Sequence, residues 1–121
     1  MASTRTSNKL IGSRGESLAA SFLERRGFEI LEKNFRYGHG EIDLIARKEN
    51  LVVFCEVKTR RSRAYGAGEE AVDLRKQSQI RLVAEGYISK RNLALSEFRF
   101  DVIVVEIKGN TTTIRLIEDA F

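Results

Sequence analysis

The apolar positions along the chain change their spacing several times, and each spacing predicts a different secondary-structure element. Over residues 10–26 they recur at helical intervals, and Gly27 is a natural end for that helix. A second helical pattern covers residues 69–89. Shorter runs that alternate or are continuously apolar predict five strands. These strands cover residues 28–33, 41–47, 51–58, 98–107 and 111–117.

The order of these elements is one helix, three strands, one helix and two strands (α-β-β-β-α-β-β), which predicts an α/β domain. The run over residues 98–107 is almost entirely apolar, as expected for a strand that is covered on both faces. We therefore predict three layers, with a mixed central sheet and one helix on each side. Residues 1–8 are predicted to be disordered, residues 34–40 to be a turn-rich break, and residues 9–121 to form one domain.

The second and third predicted strands are joined by a link short enough for a hairpin. If Glu49 and Asn50 form a two-residue turn, the pairing register follows, and Asp43 faces Glu56. Alternation then puts apolar side chains on one face, which must be core, and charged ones away from the turn on the other. The apolar face consists of Ile42, Leu44, Ala46, Leu51, Val53, Cys55 and Val57. The opposite face consists of Glu41, Asp43, Ile45, Phe54, Glu56 and Lys58.

Two carboxylates that face each other across a strand pair repel, and three explanations are open for Asp43 and Glu56. Water can screen the repulsion on a solvated face, one carboxyl group can keep a proton through a raised pKa, or a divalent cation can lie between them. Hard oxygen ligands suit Mg²⁺, which takes one or two protein carboxylates and keeps several waters. Lys58 lies on the same face, where it contributes a cation to such a site or pairs with Glu41.

The composition limits the kinds of site that the chain can carry. Its 121 residues are enough for one domain, with 21 Lys and Arg against 17 Asp and Glu, and the net charge of +4 is compatible with an anionic partner. One Cys (Cys55), expected to be buried, and one His (His39) exclude an internal disulfide and a Cys/His zinc site. No apolar run approaches the about 18 residues of a membrane helix, and no export signal is recognisable, so we expect a cytoplasmic protein.

Several short blocks of the sequence are similar to the motifs of one nuclease superfamily. These blocks are GESLA (residues 15–19), GEIDLIA (40–46), CEVKTR (55–60), KQ (76–77) and RFDVI (99–103). The second and third resemble the Asp…Glu-x-Lys signature of the PD-(D/E)XK nucleases, although the usual proline before the Asp is absent. Together the blocks resemble the YraN-type bacterial proteins, relatives of the archaeal Holliday junction resolvases. The resemblance implies a restriction-endonuclease-like fold.

The resemblance also implies roles for the charged residues of the hairpin. Asp43 and Glu56 would hold Mg²⁺ or Mn²⁺, with the Val57 backbone carbonyl as a further ligand. Lys58 would orient or help to deprotonate the attacking water and stabilise the charge that develops on the phosphoryl group. Metal and lysine together supply what phosphodiester hydrolysis needs, namely a nucleophile at neutral pH and positive charge near the oxyanion.

Three other acids have alternative roles. In the resolvase-like pattern Glu16 would be a catalytic acid that reaches the metal directly or through water; otherwise it is an ordinary residue at the border of the helix's packed face. Glu41 is a further metal or water ligand, or it forms a salt bridge with Lys58. Asp101 follows Arg99 in the long apolar strand, and we interpret the two as a structural ion pair.

Positive charge is concentrated just after the hairpin motif, where four cations fall within residues 58–63. Arginine suits bidentate phosphate contact, so this loop is expected to follow a nucleic-acid backbone. On the second helix, two polar residues lie on the side that faces the sheet, either at the edge of the site or as snorkelling side chains at the end of the core. The residues expected to contact nucleic acid are Arg60, Arg61, Arg63, Lys76 and Gln77.

These features predict a Mg²⁺- or Mn²⁺-dependent nuclease that hydrolyses DNA, either branched (Holliday-junction-like) or single-stranded. The alternative is a nucleic-acid-binding or adaptor module that keeps the fold without useful turnover. The paired acids favour the enzyme, because a binding protein gains nothing from carboxylates that repel phosphate. Recognition is expected through shape and phosphate, since no groove-reading element is recognisable. Paired cuts would require a homodimer, and no membrane partner is expected.

Overall fold

Two helices and five strands make up the part of the chain that the computed structural model describes. That part comprises residues 4–61, 72–94 and 96–121, with side chains described from residue 12 onward. In chain order the elements are α1 (Thr4–Arg25), β1 (Glu29–Tyr37), β2 (Gly40–Lys48), β3 (Leu51–Arg60), α2 (Leu74–Lys90), β4 (Glu97–Lys108) and β5 (Thr111–Ile117). This order is the predicted one.

The five strands form one mixed sheet in the order β1-β2-β3-β4-β5. Three neighbouring pairs are antiparallel, whereas β3 and β4 are parallel. Helix α2 lies in the connection between β3 and β4, because parallel neighbours need a crossover that brings the chain back to the same end. The two helices pack against opposite faces of the sheet. The result is the predicted three-layer arrangement of the restriction-endonuclease-like type.

Each helix buries its apolar side against one face of the sheet. The α1 cluster consists of Ala19, Ala20, Leu23, Leu44, Ala46, Val53, Cys55, Ile103 and Val105. The α2 cluster consists of Ile42, Ile45, Val52, Phe54, Val72, Ile80, Val83, Ala84, Tyr87, Val102 and Val104. Complete burial of one such aliphatic or aromatic side chain contributes about 1.5–3 kcal/mol, so the two clusters hold the layers together. Cys55 is buried, as predicted.

The hairpin of β2 and β3 has the predicted turn and the predicted register. Leu44 pairs with Cys55, and the chain reverses at Glu49 and Asn50. Glu49 takes a left-handed φ of 54°, as a tight two-residue hairpin turn requires. The predicted apolar face packs against α1 with one exception, because Ile42 belongs to the α2 cluster.

The misplacement of Ile42 has a local cause at Asp43, where the alternation of side chains in β2 breaks. A regular strand would put Ile42 and Leu44 on one face, but they pack against opposite helices. Lys33 pairs with Leu44 and Phe35 pairs with Ile42, so Asn34 lies opposite Asp43, and Asn34 has a left-handed φ of 51°. The prediction for Ile42 was wrong because it assumed uniform alternation through the residue that carries the candidate site.

Strand β1 is longer than predicted, and the predicted turn-rich break over residues 34–40 is wrong. The strand extends over Glu29–Tyr37, and only Gly38 and His39 form the turn to β2. Because β1 is at the edge of the sheet, one side of it is open to solvent, where polar residues are tolerated. The polar composition that indicated a loop is therefore compatible with an edge strand.

Helix α1 begins at Thr4, earlier than the predicted start at residue 10. Residues 4–8 were predicted to be disordered, but their backbone is helical; the segment contains neither proline nor glycine, the strongest helix breakers. Neither helix in the described ranges combines the length and the apolar character that crossing a bilayer would require.

Helix α2 begins at Leu74 because Asp73 caps it. The Asp73 carboxylate accepts a hydrogen bond from the Lys76 backbone N–H at 2.8 Å, the usual arrangement of an N-terminal cap. The sequence pattern had predicted a start at residue 69, and residues 62–71 lie outside the described part of the chain. The cap fixes where the first turn of α2 meets the end of β3.

Candidate functional site

The candidate site lies where the pairing between β2 and β3 ends. The register extends from the turn to Leu44 and Cys55, and Asp43 and Glu56 are the next residue on each strand. The Val57 backbone N–H donates a hydrogen bond to the Asp43 carboxylate, with 2.8 Å between N and Oδ2. Asp43 therefore reaches across to β3 with its side chain, and this brings its charge close to that of Glu56.

The ionised form of Asp43 is disfavoured in this environment. Burial is the main cause that raises the pKa of Asp43 from 3.8 to about 7, and the negative charge of Glu56 is the next. The Val57 hydrogen bond lowers this pKa, the charge of Glu16 raises it, and Lys76 lowers it. Near neutral pH the group is therefore poised between its two protonation states, and a bound cation would shift it to the carboxylate.

Glu56 has a cationic partner on helix α2. Its carboxylate lies 3.0 Å from Nζ of Lys76, and its side chain is only 11% exposed. Burial lowers the pKa of Lys76, but the hydrogen bond and the charge of Glu56 outweigh burial, so the pKa is raised. Because Glu56 is so little exposed, solvent screening does not explain how the two acids tolerate each other. Lys76 supplies part of the compensating charge, and a proton on one acid or a bound cation could supply the rest.

Glu16 reaches the site because α1 approaches β3 closely at the preceding residue. A Cβ on Gly15 would overlap the Thr59 side chain, so glycine permits this packing distance. The half-buried Glu16 then lies near enough to Asp43 for its charge to raise the pKa of that group. Helix α1 thus brings a third acid to the two acids of the hairpin.

Lys58 lies on the α2 side of β3, next to Glu56. The two residues line a cavity of about 140 Å³ together with Val72, Asp73 and Lys76 from the start of α2. Two carboxylates and two ammonium groups thus surround one small volume. Among these residues, the sequence reasoning missed Asp73; a search for helix caps could have found it.

The other predicted phosphate contacts do not line this cavity within the described part of the chain. Arg60 ends β3, and Arg61 follows it as an exposed residue, whereas Arg63 lies outside the described residues. Gln77 donates from Nε2 to the Val72 carbonyl oxygen at 2.7 Å. This bond stabilises the segment in front of α2, which gives Gln77 a structural partner in addition to any contact with nucleic acid.

Glu41 pairs with a residue that the sequence reasoning did not consider. Its carboxylate lies 3.6 Å from a guanidinium nitrogen of Arg36, its direct cross-strand partner in β1. No signal in the sequence pointed to this pair, because residue 36 fell in the region that was predicted to be a turn.

The donor set is of the kind that a hard divalent cation accepts. Asp43 and Glu56 offer carboxylate oxygens, and a backbone carbonyl such as that of Val57 is a third oxygen donor of the same class. Within the part of the chain whose side chains are described, no group of three or more His, Cys, Asp or Glu residues converges to hold a metal. A site with two carboxylates and several waters is the type that Mg²⁺ takes, so the residues fit the expected metal.

Another acid of the sheet, Asp101 in β4, is fully buried, and its negative charge is neutralised by a neighbouring arginine. Arg99 binds it through two nitrogens at 2.9–3.1 Å, and the Asp119 N–H donates to it at 2.9 Å. Because the carboxylate already has these partners, it is a structural group, in agreement with its interpretation from the sequence.

Comparison of the sequence with known proteins identifies the family of the chain. The sequence profile of uncharacterised protein family UPF0102 matches residues 15–105. The chain belongs to this family. A UPF0102 protein of Dictyoglomus turgidum is 41% identical over 116 residues, covering 94% of this chain and 98% of the relative. A UPF0102 protein of Clostridium botulinum (strain 657) is 46% identical over 117 residues, covering 94% and 95%.

A third UPF0102 protein, from Caldanaerobacter subterraneus, is 44% identical over 110 residues, with 91% of this chain and 90% of the relative covered. Membership of UPF0102 confirms the YraN-type family that the sequence blocks predicted. The match begins at Gly15 and ends at Val105, so it spans the hairpin, α2 and most of β4. All the candidate metal ligands and both lysines of the cavity lie inside it.

Proposed function

We propose that this protein is a metal-dependent nuclease that hydrolyses phosphodiester bonds in DNA. The observation that carries the proposal is the meeting of Asp43 with Glu56 at the end of the β2–β3 pairing, in surroundings that raise the pKa of Asp43 to about 7. The negative charge of Glu56 disfavours the ionised form of Asp43, and Lys76 offsets only part of this effect, so a cationic ligand is the simplest reason for the arrangement.

Asp43, Glu56 and the Val57 carbonyl would hold Mg²⁺ or Mn²⁺. The ion, when bound, supplies positive charge for the phosphoryl oxygens and lowers the pKa of coordinated water. The two carboxylates would hold the ion in a part-buried site, where charge is screened less than in bulk water. Glu16 adds negative charge near Asp43 and would act on the ion directly or through water.

Lys58 and Lys76 provide the positive charge of the protein itself. Lys58 lines the cavity beside Glu56, where an ammonium group orients the attacking water or stabilises charge on the transition state. Lys76 holds the Glu56 carboxylate through the ion pair at 3.0 Å and so limits its rotamers. In this proposal Lys58 is a catalytic residue and Lys76 is a positioning residue.

The substrate is proposed to be held through its phosphates. Arg60 and Arg61 follow Lys58 at the end of β3, where guanidinium groups suit the backbone of a nucleic acid. Binding of this kind predicts strong salt dependence and little sequence preference. Branched and single-stranded DNA are both compatible with such contacts, paired cuts would need two copies of the chain, and the cytoplasm is the proposed location.

One observation favours a second candidate, a nucleic-acid-binding module without turnover. Lys76 already neutralises Glu56 in the structure, so one of the two metal ligands is engaged by a protein cation. If Lys76 does not yield to a metal ion, the cavity would bind phosphate through its lysines and would not hydrolyse it.

The experiment that separates the two candidates measures cleavage and metal binding on the same proteins. Labelled linear, flapped and four-way-junction DNA are incubated with Mg²⁺, Mn²⁺ or EDTA at two salt concentrations, and Mg²⁺ binding is followed by calorimetry without DNA. We expect metal-dependent cleavage that is lost in Asp43→Asn and Glu56→Gln but retained in Glu24→Gln, an exposed acid near the other end of α1. Metal-independent binding without cleavage by any of these proteins would support the second candidate.

A further inference from the structure

A groove lies between the β1–β2 turn and helix α2, beside the candidate site. Its volume of about 520 Å³ is within the range of pockets that bind small organic groups. One wall is the turn from Tyr37 to Gly40, and the other is the side of α2 around Leu82 and Gly86. Tyr37 and Leu82 are large apolar side chains that are 47% and 63% exposed. Adjacent exposed apolar groups in a concave surface are typical of a binding site.

The aromatic wall of the groove is held in a fixed position. The Tyr37 ring lies against Gly86, where a Cβ would come within 2.6 Å of the ring. Gly40 likewise approaches Val83 so closely that a Cβ would lie 2.5 Å from a Val83 methyl group. The end of the hairpin and the helix are therefore in direct contact, and the tyrosine ring is ordered before any ligand arrives, which lowers the entropic cost of binding.

The lining of the groove matches a flat ligand that has apolar faces and a polar edge. Beside the apolar walls, the polar side chains of Gln79, Glu85, Ser89 and His39 line the same volume. A nucleobase has this chemistry, because its faces stack and its edge carries hydrogen-bond donors and acceptors. Stacking on an aromatic side chain is the usual way in which proteins bind bases that are not paired.

The groove lies close to the candidate site on both of its walls. On β2, Gly40 precedes Asp43 by three residues, which is about 10 Å along a strand. On α2, Gln79 follows Lys76 by about one turn, which is roughly 4.5 Å along the axis. A strand with a phosphate at the acids can therefore reach the groove with a neighbouring nucleotide.

We infer that the groove binds an unpaired base of the strand whose phosphate lies at the candidate site. The substrate class is then single-stranded nucleic acid, or a duplex with an unpaired segment; this inference rests on the proposed function and deepens it. A base within a duplex is stacked between its neighbours and has to be extruded before it can enter such a groove. Arg36, which is 81% exposed and lies 3.6 Å from Glu41, lines a neighbouring cavity together with Gly38, His39 and Gly40.

The test compares two probes that carry the same number of phosphates. One is a fluorescein-labelled strand of about twelve thymidines, and the other is a strand of the same length with abasic sites in place of the internal bases. Binding is measured by fluorescence anisotropy in EDTA, so that metal-dependent cleavage does not consume the probe. We expect the wild-type protein to bind the thymidine strand at least about fivefold more tightly than the abasic strand, the smallest effect typical of stacking on one aromatic ring.

Substitutions in the walls of the groove test whether the groove causes the difference in affinity between the two probes. Leu82→Asn changes an exposed residue, and Tyr37→Ala removes the ring; both should bind the two probes equally. Tyr37→Trp should retain the preference for bases, which would show that a lost preference does not come from misfolding. Leu74→Ala is the matched control, since Leu74 is 80% exposed on the same helix and does not line the groove. Far-ultraviolet circular dichroism and thermal unfolding verify that each variant is folded.

Each outcome decides for or against the groove. Equal wild-type affinity for the two probes overturns the inference, even if metal-dependent cleavage survives and the proposed function stands. If the wild type prefers the thymidine strand but cleaves no DNA, the inference about the groove is supported and the proposed nuclease activity is wrong. If Leu82→Asn changes the oligomeric state in analytical ultracentrifugation and leaves both affinities unchanged, the groove is a contact between copies of the chain and the inference is wrong. A uridine strand of the same length distinguishes RNA from DNA as the source of the base.

Discussion

Two aspartates in the sheet of this protein have opposite surroundings. Asp101 in β4 is fully buried, and its charge is balanced by two guanidinium nitrogens of Arg99 and by a backbone N–H. Asp43 in β2 accepts a hydrogen bond from the Val57 N–H and has other acids beside it. The first arrangement makes burial of a charge tolerable, whereas in the second Lys76 offsets only part of the effect of burial and of the neighbouring acids. The comparison indicates that Asp101 serves the fold, and it supports the proposal that Asp43 binds a cation.

The largest expected effect is on the balanced aspartate. We expect Asp101→Ala to lower the free energy of unfolding by about 3–5 kcal/mol, because it leaves the Arg99 guanidinium and the Asp119 N–H without their buried partner. Urea unfolding followed by circular dichroism measures this loss. The double variant Arg99→Leu/Asp101→Leu removes both charges and should lose less. A loss below about 1 kcal/mol for Asp101→Ala would contradict the structural role.

Removal of the unbalanced charge should have the opposite sign. The pKa of Asp43 is about 7 in the folded chain, against an ordinary value of 3.8, so the folded chain binds this proton more readily than the unfolded chain does. The protonated form of Asp43 therefore favours the folded state. Its contribution to the free energy of unfolding is fully present below about pH 4 and is lost as the pH rises through about 7. We expect Asp43→Asn to be more stable than the wild type by about 2–4 kcal/mol at pH 8 without divalent ions, and to show little of this pH dependence.

The measurement is thermal or urea unfolding of both proteins between pH 4 and pH 8. Addition of Mg²⁺ should stabilise the wild type more than the Asn variant, because only the wild type has the carboxylate for it. If the Asp43→Asn variant is no more stable than the wild type at pH 8, the fold compensates the negative charge of Asp43.

Displacement of the third acid should have an intermediate effect. Gly15→Ala places a methyl group against Thr59, and we expect a loss of about 1–3 kcal/mol from the overpacked contact between α1 and β3. Thr59→Gly should be tolerated better when it is combined with Gly15→Ala than in the wild type, because it makes room for the methyl group. A double-mutant cycle measures this coupling, and additive losses would place the strain elsewhere.

The smallest effect is expected at the partly exposed partner of Glu56. Lys76→Gln removes the ion pair at 3.0 Å and should change stability by at most about 1 kcal/mol. If Lys76 competes with a metal ion for Glu56, the variant should bind Mg²⁺ a few-fold more tightly in calorimetry. Lys90→Gln, at the exposed end of the same helix, is the control. Weaker Mg²⁺ binding by Lys76→Gln would show that Lys76 orients the carboxylate for the metal and does not compete with it.

The sequence was sufficient for the elements and for the centre of the site, because both depend on local pattern. The turn at Glu49 and Asn50 determines the register of the hairpin, and the register alone puts Asp43 and Glu56 at corresponding positions. Alternation predicted the face of Leu44 and Cys55 correctly for the same reason. The order of helices and strands followed from the changes in apolar spacing.

The failures of the sequence reasoning concern features that depend on the assembled fold. Ile42 changes face because β2 is irregular at Asp43, and no property of the two residue types indicates that irregularity. The edge position of β1 makes polar residues compatible with a strand, but edge positions are known only after the sheet order is known. The ion pair between Lys76 and Glu56 joins residues on α2 and β3, and a single sequence contains no measure of such distant contacts.

The parallel pairing of β3 with β4 has a consequence for the order in which this site is assembled. Leu51 pairs with Glu97, so β4 joins the sheet only after the chain has closed a long loop that contains α2. The β2–β3 hairpin needs a two-residue turn alone and is expected to form much earlier. During synthesis the acids would then emerge already aligned, while the lysine that neutralises Glu56 is still to arrive. Glu56 therefore lacks this counter-charge until α2 docks on the sheet and brings Nζ of Lys76 to 3.0 Å from it.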